Sequence, residues 1–148
     1  MSLKQKIQDD LTSAIRAQDK TRMDALRMLK SAITRFETSG AKKEATDEEI
    51  IAIVQKEIKQ RQDSIEQFKN GNRLDLAEKE QKEMDFLKSY LPPQLSEDEI
   101  RSIVDKTIKE TNASTKQDMG KVMAALMPQI KGKADGKLVS KIVNELLK

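Results

Sequence analysis

A short run near the C-terminus holds the side chains of this sequence that are best suited to binding chemistry. Residues 127–139 place two glycines and three lysines between two apolar helical stretches, namely Lys131, Gly132, Lys133, Gly136 and Lys137. Glycine gives the backbone freedom and clustered lysines concentrate positive charge, so the run predicts a site for an anion. It contains no nucleophile, general base or set of metal ligands. A solvated basic loop without a ligand stays open as the alternative.

The same run also begins a helix. Asp135 is placed as the N-cap of a stretch whose apolar face holds Leu138, Ile142 and Leu146. Helix N-termini expose unpaired N–H groups and a partial positive charge, which together with lysines favour a phosphate. A nucleotide-binding P-loop is excluded, because the glycines stand one residue too close, no Ser or Thr follows Lys137 and no strand precedes the turn.

Composition excludes most classes of catalytic site. The chain has 148 residues with no His and no Cys. It therefore cannot build a Cys/His metal site, a thiol nucleophile or a His-based triad, and we expect no catalytic residue, metal or cofactor. The net charge of +3 is modest, but residues 116–141 hold six lysines against two aspartates, a local charge of +4.

No stretch of the sequence has the composition of a membrane-directed segment. The N-terminal residues lack the apolar core of a secretory signal. No run approaches the roughly 20 apolar residues of a membrane-spanning helix. We therefore predict a cytoplasmic protein without a membrane partner.

Apolar residues recur at helical spacing along the chain, which predicts an all-α fold. The predicted helices of the N-terminal part cover about 3–18, 20–38, 47–70 and 74–91. Ser2 with Gln5, and Thr46 with Glu49, have the spacing of capping boxes. Because the connections are short, we expect one antiparallel four-helix unit.

The pair Pro92-Pro93 interrupts the helical pattern. We predict a hinge there between an N-terminal helical domain, residues 1–91, and a C-terminal three-helix domain, residues 94–148. The helices of the second domain are predicted to begin after Ser96, near Ser114 or Thr115, and after Asp135. Pro128 is expected to kink or end the middle helix.

The distribution of aromatic and methionine side chains bears on how the C-terminal domain binds. All four aromatic residues precede the hinge, namely Phe36, Phe68, Phe86 and Tyr90. A domain without aromatic rings cannot stack unpaired bases, so an RNA contact there must use shape and backbone. Met119, Met123 and Met127 form a row at helical spacing. We predict that this row packs in the core, with a partner-binding face as the alternative.

Several segments together resemble the YqeY family over essentially the whole chain. They are residues 26–33, 58–61 and 75–80, the Tyr90-Leu91-Pro92 hinge and residues 119–123. The C-terminal part is also similar to the tail domain of GatB, the tRNA-binding subunit of the glutamine-dependent amidotransferase that amidates mischarged Glu-tRNA(Gln) or Asp-tRNA(Asn). That similarity rests on Gly120, on the turn at 131–134 and on Leu138-Val139.

The resemblance implies a tRNA-binding C-terminal bundle, and with it an accessory role in carbon-nitrogen ligation with glutamine as amido-N-donor. Amidotransferase or aminoacyl-tRNA synthetase components are the further partners that it implies. The RNA-binding residues assigned on this basis are Gly120, Lys121, Lys131, Gly132, Lys133 and Lys137. The catalytic domain of GatB has no counterpart here, so no catalytic residue is carried over. The GatB tail usually has Pro after the capping residue, whereas Gly136 stands here, which predicts a looser helix start.

Two other hypotheses stay open. The chain is either a helical protein–protein interaction scaffold, whose residues 1–90 hold a protein partner, or a carbon-nitrogen ligase that acts alone. The missing nucleotide-binding motif speaks against the ligase.

Overall fold

The computed structural model describes residues 2–40 and 43–147. Among these residues it contains seven α-helices, one short 3-10 turn and no β-strand, so the predicted all-α fold is confirmed. In chain order the elements are α1 (Leu3–Ala17), α2 (Lys20–Thr38), α3 (Asp47–Asn70), α4 (Leu74–Lys88), α5 (Glu97–Glu110), the 3-10 turn (Lys116–Asp118), α6 (Met119–Ile130) and α7 (Gly136–Leu146).

The chain divides into two compact units, one up to Leu91 and the other from Pro92 onward. Within the N-terminal unit, α3 packs along α4 and α1 along α2, while α2 also contacts α3 and α4. Within the C-terminal unit, α5, α6 and α7 all contact one another. The antiparallel order of α1–α4 and the hinge at Pro92-Pro93 stay predictions.

Side-chain caps fix where several helices begin. At α3 the Thr46 hydroxyl accepts from the backbone N–H of Glu49 at 3.2 Å, and the Glu49 carboxylate accepts from that of Thr46 at 3.1 Å. The predicted capping box is therefore present. The hydroxyl of Ser96 likewise accepts from the backbone N–H of Glu99 at 3.2 Å and starts α5.

Two helix ends differ from the sequence prediction. α4 ends at Lys88 rather than Leu91, because Ser89, Tyr90 and Leu91 each donate to the carbonyl three residues back, which tightens the chain into turns. α6 runs on to Ile130 instead of ending at Pro128. A proline this near the C-terminus deprives the helix of one N–H donor, and two more residues still follow it.

The start of α6 also lies later than predicted, at Met119. The Asp118 carboxylate accepts from the backbone N–H groups of Ser114 and Thr115, at 3.0 and 3.3 Å. These hydrogen bonds hold the pKa of Asp118 below its usual value. Thr115 and Asp118 thus form a capping box at the start of the 3-10 turn, and α6 follows directly after that turn.

Each unit has its own apolar core. The largest fully buried side chains include Leu26, Leu29, Ile50 and Leu87 in the first unit and Ile100, Val104, Leu126 and Ile142 in the second. The methionine row is divided. Met119 and Met123 pack against the second core, as predicted, but Met127 is 44% exposed.

A buried ionic cluster joins α3 and α4. Arg61 is 3% exposed, and its guanidinium lies 3.5 Å from Glu57 Oε2, 3.5 Å from Glu83 Oε2 and 3.9 Å from Glu80 Oε2. Glu57 and Glu83 are buried as well. Burial raises the pKa of Glu83 above its usual value, although Arg61 opposes the shift. One cation thus faces three carboxylates inside the N-terminal unit.

Candidate nucleic-acid interface

The turn between α6 and α7 is shaped by Gly132. Its φ of 79° lies in the left-handed region, which an L-residue with a Cβ rarely adopts. The N–H of Lys133 donates to the Ile130 carbonyl at 2.8 Å and closes the turn. Gly132 itself is buried. It therefore shapes the turn, and its assignment as an RNA-binding residue stays a prediction.

The turn is also tied to the segment that leads into α5. Gln94 Nε2 donates to the Gly132 carbonyl at 2.9 Å, and the N–H of Leu95 donates to the Lys133 carbonyl at 2.8 Å. The backbone that carries the lysines is thus held by hydrogen bonds from 38 residues earlier in the chain. The role of Gln94 could not be predicted from the sequence, because no local pattern relates it to the turn.

The start of α7 adds to the positive character of the turn. The Asp135 carboxylate accepts from the N–H of Lys137 at 3.1 Å, so Asp135 is the N-cap as predicted. The first turn of α7 contains no acidic residue, whereas those of α3 and α5 contain three each. The partial positive charge of the α7 N-terminus is therefore offset by Asp135 alone.

The three lysines predicted at the turn are exposed and form no ion pair within the described part of the chain. Lys131, Lys133 and Lys137 make no ion pair with any carboxylate in residues 2–40 and 43–147. The cations of α5 differ: Arg101 lies 2.7 Å from Glu145, and Lys109 lies 3.1 Å from Asp105. Positive charge in the C-terminal unit is thus neutralised on α5 and left free at the turn.

Gly120 and Lys121 do not join this group. Both are exposed in the first turn of α6, while Lys131 follows the last residue of the same helix. At 1.5 Å per residue, the two ends lie about 16 Å apart along the axis. The six predicted residues therefore form two separate places on the unit, because a whole helix stands between them. A Cβ added at Gly120 meets nothing within 4 Å, so packing does not require a glycine there.

Lys141 extends the turn group and was missed. It is exposed, makes no ion pair within the described part of the chain, and follows Lys137 by four residues on α7. Residues four apart share one face of a helix. The spacing of Lys137 and Lys141 was the available signal. We call Lys131, Lys133, Lys137 and Lys141 the turn lysines.

Comparison with known proteins identifies the family. A family model described as Yqey-like protein matches residues 4–147. The chain belongs to the YqeY family. The family membership predicted from the sequence is therefore confirmed.

Several curated relatives of this YqeY-family chain carry the name Altered inheritance of mitochondria protein 41, mitochondrial. The one from Pyrenophora tritici-repentis is 36% identical over 145 residues, which cover 96% of this chain and 79% of that protein. The one from Lachancea thermotolerans is 36% identical over 110 residues, covering 73% and 59%. The one from Saccharomyces cerevisiae strain YJM789 is 34% identical over 125 residues, covering 78% and 68%. These names mention no ligand and no reaction.

The names contradict the cytoplasmic location that we predicted, because they point to mitochondria. The prediction rested on the absence of an apolar secretory signal. That test does not address mitochondria, whose targeting segments are amphipathic and rich in Arg and Ser rather than apolar. Among the described residues, no helix combines the length and the apolar character needed to cross a membrane.

Proposed function

We propose that this YqeY-family protein binds tRNA through the α6–α7 turn of its C-terminal unit, as an accessory to tRNA-dependent amidation. One observation carries the proposal. Gln94 and Leu95 hold the backbone of the turn in place, the turn lysines stand on that turn and on α7 directly after it, and no carboxylate of the described chain pairs with them. The similarity of this unit to the GatB tail supplies tRNA as the RNA and amidation as the process.

The mode of binding follows from the side chains present. Each ammonium group that meets a phosphate releases a condensed counterion, which gives favourable but salt-dependent binding. The N-terminus of α7, whose first turn contains no acidic residue, adds backbone N–H groups at the end of the helix that follows the turn. With no aromatic ring after Tyr90, the unit has no ring on which to stack a base. We therefore expect contact with the phosphate backbone, with Gly120 and Lys121 as a separate, second contact.

A salt titration of tRNA binding tests the proposal. In filter binding of the full chain to total tRNA over a series of KCl concentrations, the triple variant Lys131→Gln/Lys133→Gln/Lys137→Gln should reduce the slope of log affinity against log salt by about three, one for each lost phosphate contact. Far-UV circular dichroism should stay unchanged, since all three side chains are exposed.

The matched control removes the same charge from cations that are already paired. The control variant is Arg101→Gln/Lys106→Gln/Lys109→Gln. Arg101 pairs with Glu97 and Glu145, Lys106 pairs with Glu110, and Lys109 pairs with Asp105. Its slope should change by less than about one. Equal losses in the two variants would show that only net charge matters, and an unchanged slope in the turn variant would refute the assignment.

The rival hypotheses predict different results. A protein scaffold would capture its partner in a pull-down that survives nuclease treatment, with no salt-dependent binding of tRNA. A ligase acting alone would turn over ATP and glutamine as purified protein.

A further inference from the structure

A second basic surface lies on α2, in the other unit. At about 100° per residue, the side chains of one stretch fall within an arc of about 140° on the exposed side of the helix. They are Arg27, Lys30, Ser31, Thr34 and Arg35, and all are exposed. The apolar side of α2, with Leu26, Leu29 and Ile33, is buried in the core. We call the five exposed residues the α2 basic face.

The cations of this face are not neutralised by a carboxylate of the described fold. Arg27, Lys30 and Arg35 make no ion pair with a carboxylate of residues 2–40 and 43–147, and Lys30 donates only to Gln8 Oε1. Other cations of the same unit are paired: Lys4 lies 2.8 Å from Glu37, and Lys79 lies 3.8 Å from Asp24. No acidic residue stands between Asp24 and Glu37 on α2.

The shape of the surface suits an extended ligand. The five residues line one open depression, which meets a groove between α1 and α2 at Lys30 and Thr34. Arg27 and Arg35 are eight residues apart, or about 12 Å along the axis, so the face is long enough to contact more than one phosphate. The acidic residue that lines the groove, Glu44, pairs with Lys4 at 3.6 Å.

The chemistry of the face selects between classes of partner. Every side chain in the arc is a hydrogen-bond donor of the kind that contacts phosphate and sugar oxygens, namely Arg, Lys, Ser or Thr. A protein interface would place an aromatic or apolar anchor at its centre. Here the nearest apolar side chain, Met28, stands at the edge of the arc. Charge complementarity therefore favours a polyanion.

We propose that the α2 basic face is a second binding surface for the RNA phosphate backbone, on the N-terminal unit. The proposal rests on the proposed function in taking RNA as the polyanion. This proposal differs from the proposed function because it places cations of the first unit in direct contact with the RNA. Neither the family nor the GatB similarity assigns a role to these cations.

Filter binding of the full chain to total tRNA tests this surface in the same assay as the turn. The variant Arg27→Gln/Lys30→Gln/Arg35→Gln keeps good helix formers on α2 and removes three cations. We expect a salt slope lower by about three and an affinity at low salt reduced about tenfold or more. The control Arg73→Gln/Lys79→Gln/Lys82→Gln removes the same charge from cations paired with Asp75, Asp24 and Glu78, and should change the slope by less than about one.

The outcomes separate the two proposals. Loss of slope in both the turn and the α2 variants supports both. Loss in the turn variant alone overturns the α2 surface and leaves the proposed function standing, while loss in the α2 variant alone keeps this surface and refutes the turn. If the α2 variant retains tRNA binding but loses binding to fluorescent polyglutamate, the face belongs to an acidic polypeptide and the inference is wrong.

Discussion

Arg61 and the turn lysines show two opposite uses of positive charge. Arg61 is 3% exposed among Glu57, Glu80 and Glu83, at 3.5 to 3.9 Å from their carboxylates. Its Nε atom has no hydrogen-bond partner among the described residues. The turn lysines are exposed, and no described carboxylate pairs with them. The first cation is committed to the fold, and the others remain available to a ligand.

The difference teaches that pairing, rather than the number of cations, distinguishes a structural charge from a binding one. Residues 1–90 contain 18 Lys or Arg, three times the six of residues 116–141. The ion pairs between described residues nevertheless all lie in the first unit or involve α5. A local excess of charge in sequence becomes a candidate site only where the fold supplies no partner, as at the turn and on α2.

The largest effect is expected from removing the buried cation. Arg61→Met leaves Glu57 and Glu83 buried without a counter-charge, so the free energy of unfolding should fall by about 3–5 kcal/mol. Urea unfolding followed by circular dichroism measures this loss. The turn lysines, being unpaired, should show the reverse pattern, with a large effect on tRNA binding and almost none on stability.

Arg73→Met is the matched control for Arg61. Arg73 pairs with Asp75 at 3.2 Å, but its side chain is 60% exposed, so its loss should lower the free energy of unfolding far less than the loss of Arg61 does. Similar losses in the two variants would show that the buried cluster contributes no more than a surface pair and would break the comparison.

The fold was largely predictable because its signals are local. Thr46, the N-cap of α3, lies three residues from its partner Glu49. The helical spacing of apolar residues also predicted each of the seven helices. The errors at α4 and α6 arose from single side-chain and turn contacts, such as the Asp118 carboxylate that closes the turn at Ser114. Such contacts compete with helix extension, and the spacing of apolar residues does not predict them.

The candidate site was predictable only in part. Lys131, Lys133 and Lys137 are adjacent in sequence, so their clustering was visible, and Lys141 follows the helical spacing. Two features were not visible. Gln94 reaches the turn from 38 residues away, and α6 separates Gly120 from the turn by its whole length. Arg61 gave no signal beyond the i−4 spacing of Glu57, because its other partners lie on the next helix.

The next effect concerns the shape of the turn. Gly132→Ala forces a residue with a Cβ into a φ of 79°, which should destabilise the C-terminal unit by about 1–2 kcal/mol. Because the same turn presents the lysines, tRNA affinity should fall in parallel. Chemical denaturation and filter binding measure the two effects. Unchanged affinity in a folded variant would mean that the lysines bind independently of the turn.

Gly120→Ala should have a smaller effect on stability and of the opposite sign. Gly120 is helical, and an added Cβ meets nothing within 4 Å, so the variant should be more stable by about 0.5–1 kcal/mol. If RNA approaches α6 at Gly120, tRNA affinity should nevertheless fall. Higher stability with unchanged affinity would remove Gly120 from the interface and leave the turn as the contact of this unit.

The smallest effect is a pH dependence within the Arg61 cluster. The pKa of Glu83 is raised above 4.5 in the fold, so its protonated form favours folding, and that contribution is lost as pH rises through the folded pKa. The variant Glu83→Gln removes this pH-dependent loss of stability, while Arg61 still pairs with Glu57 and Glu80. The stability of the variant relative to the parent should therefore increase from about pH 4 to pH 7.

Asp118→Asn provides the control, because its pH dependence has the opposite sign. Hydrogen bonds from Ser114 and Thr115 lower the pKa of Asp118 below 3.8, so its charged form favours folding, and that contribution is lost as pH falls through the folded pKa. The variant should lose stability relative to the parent as pH rises toward 3.8 and change little above it. The free energy of unfolding of each variant is measured relative to the parent from acid to neutral pH. If this difference changed in the same direction for both variants, burial would not be what distinguishes Glu83 from Asp118. The contrast between a charge used by the fold and a charge available to a ligand would then lose its support in the N-terminal unit.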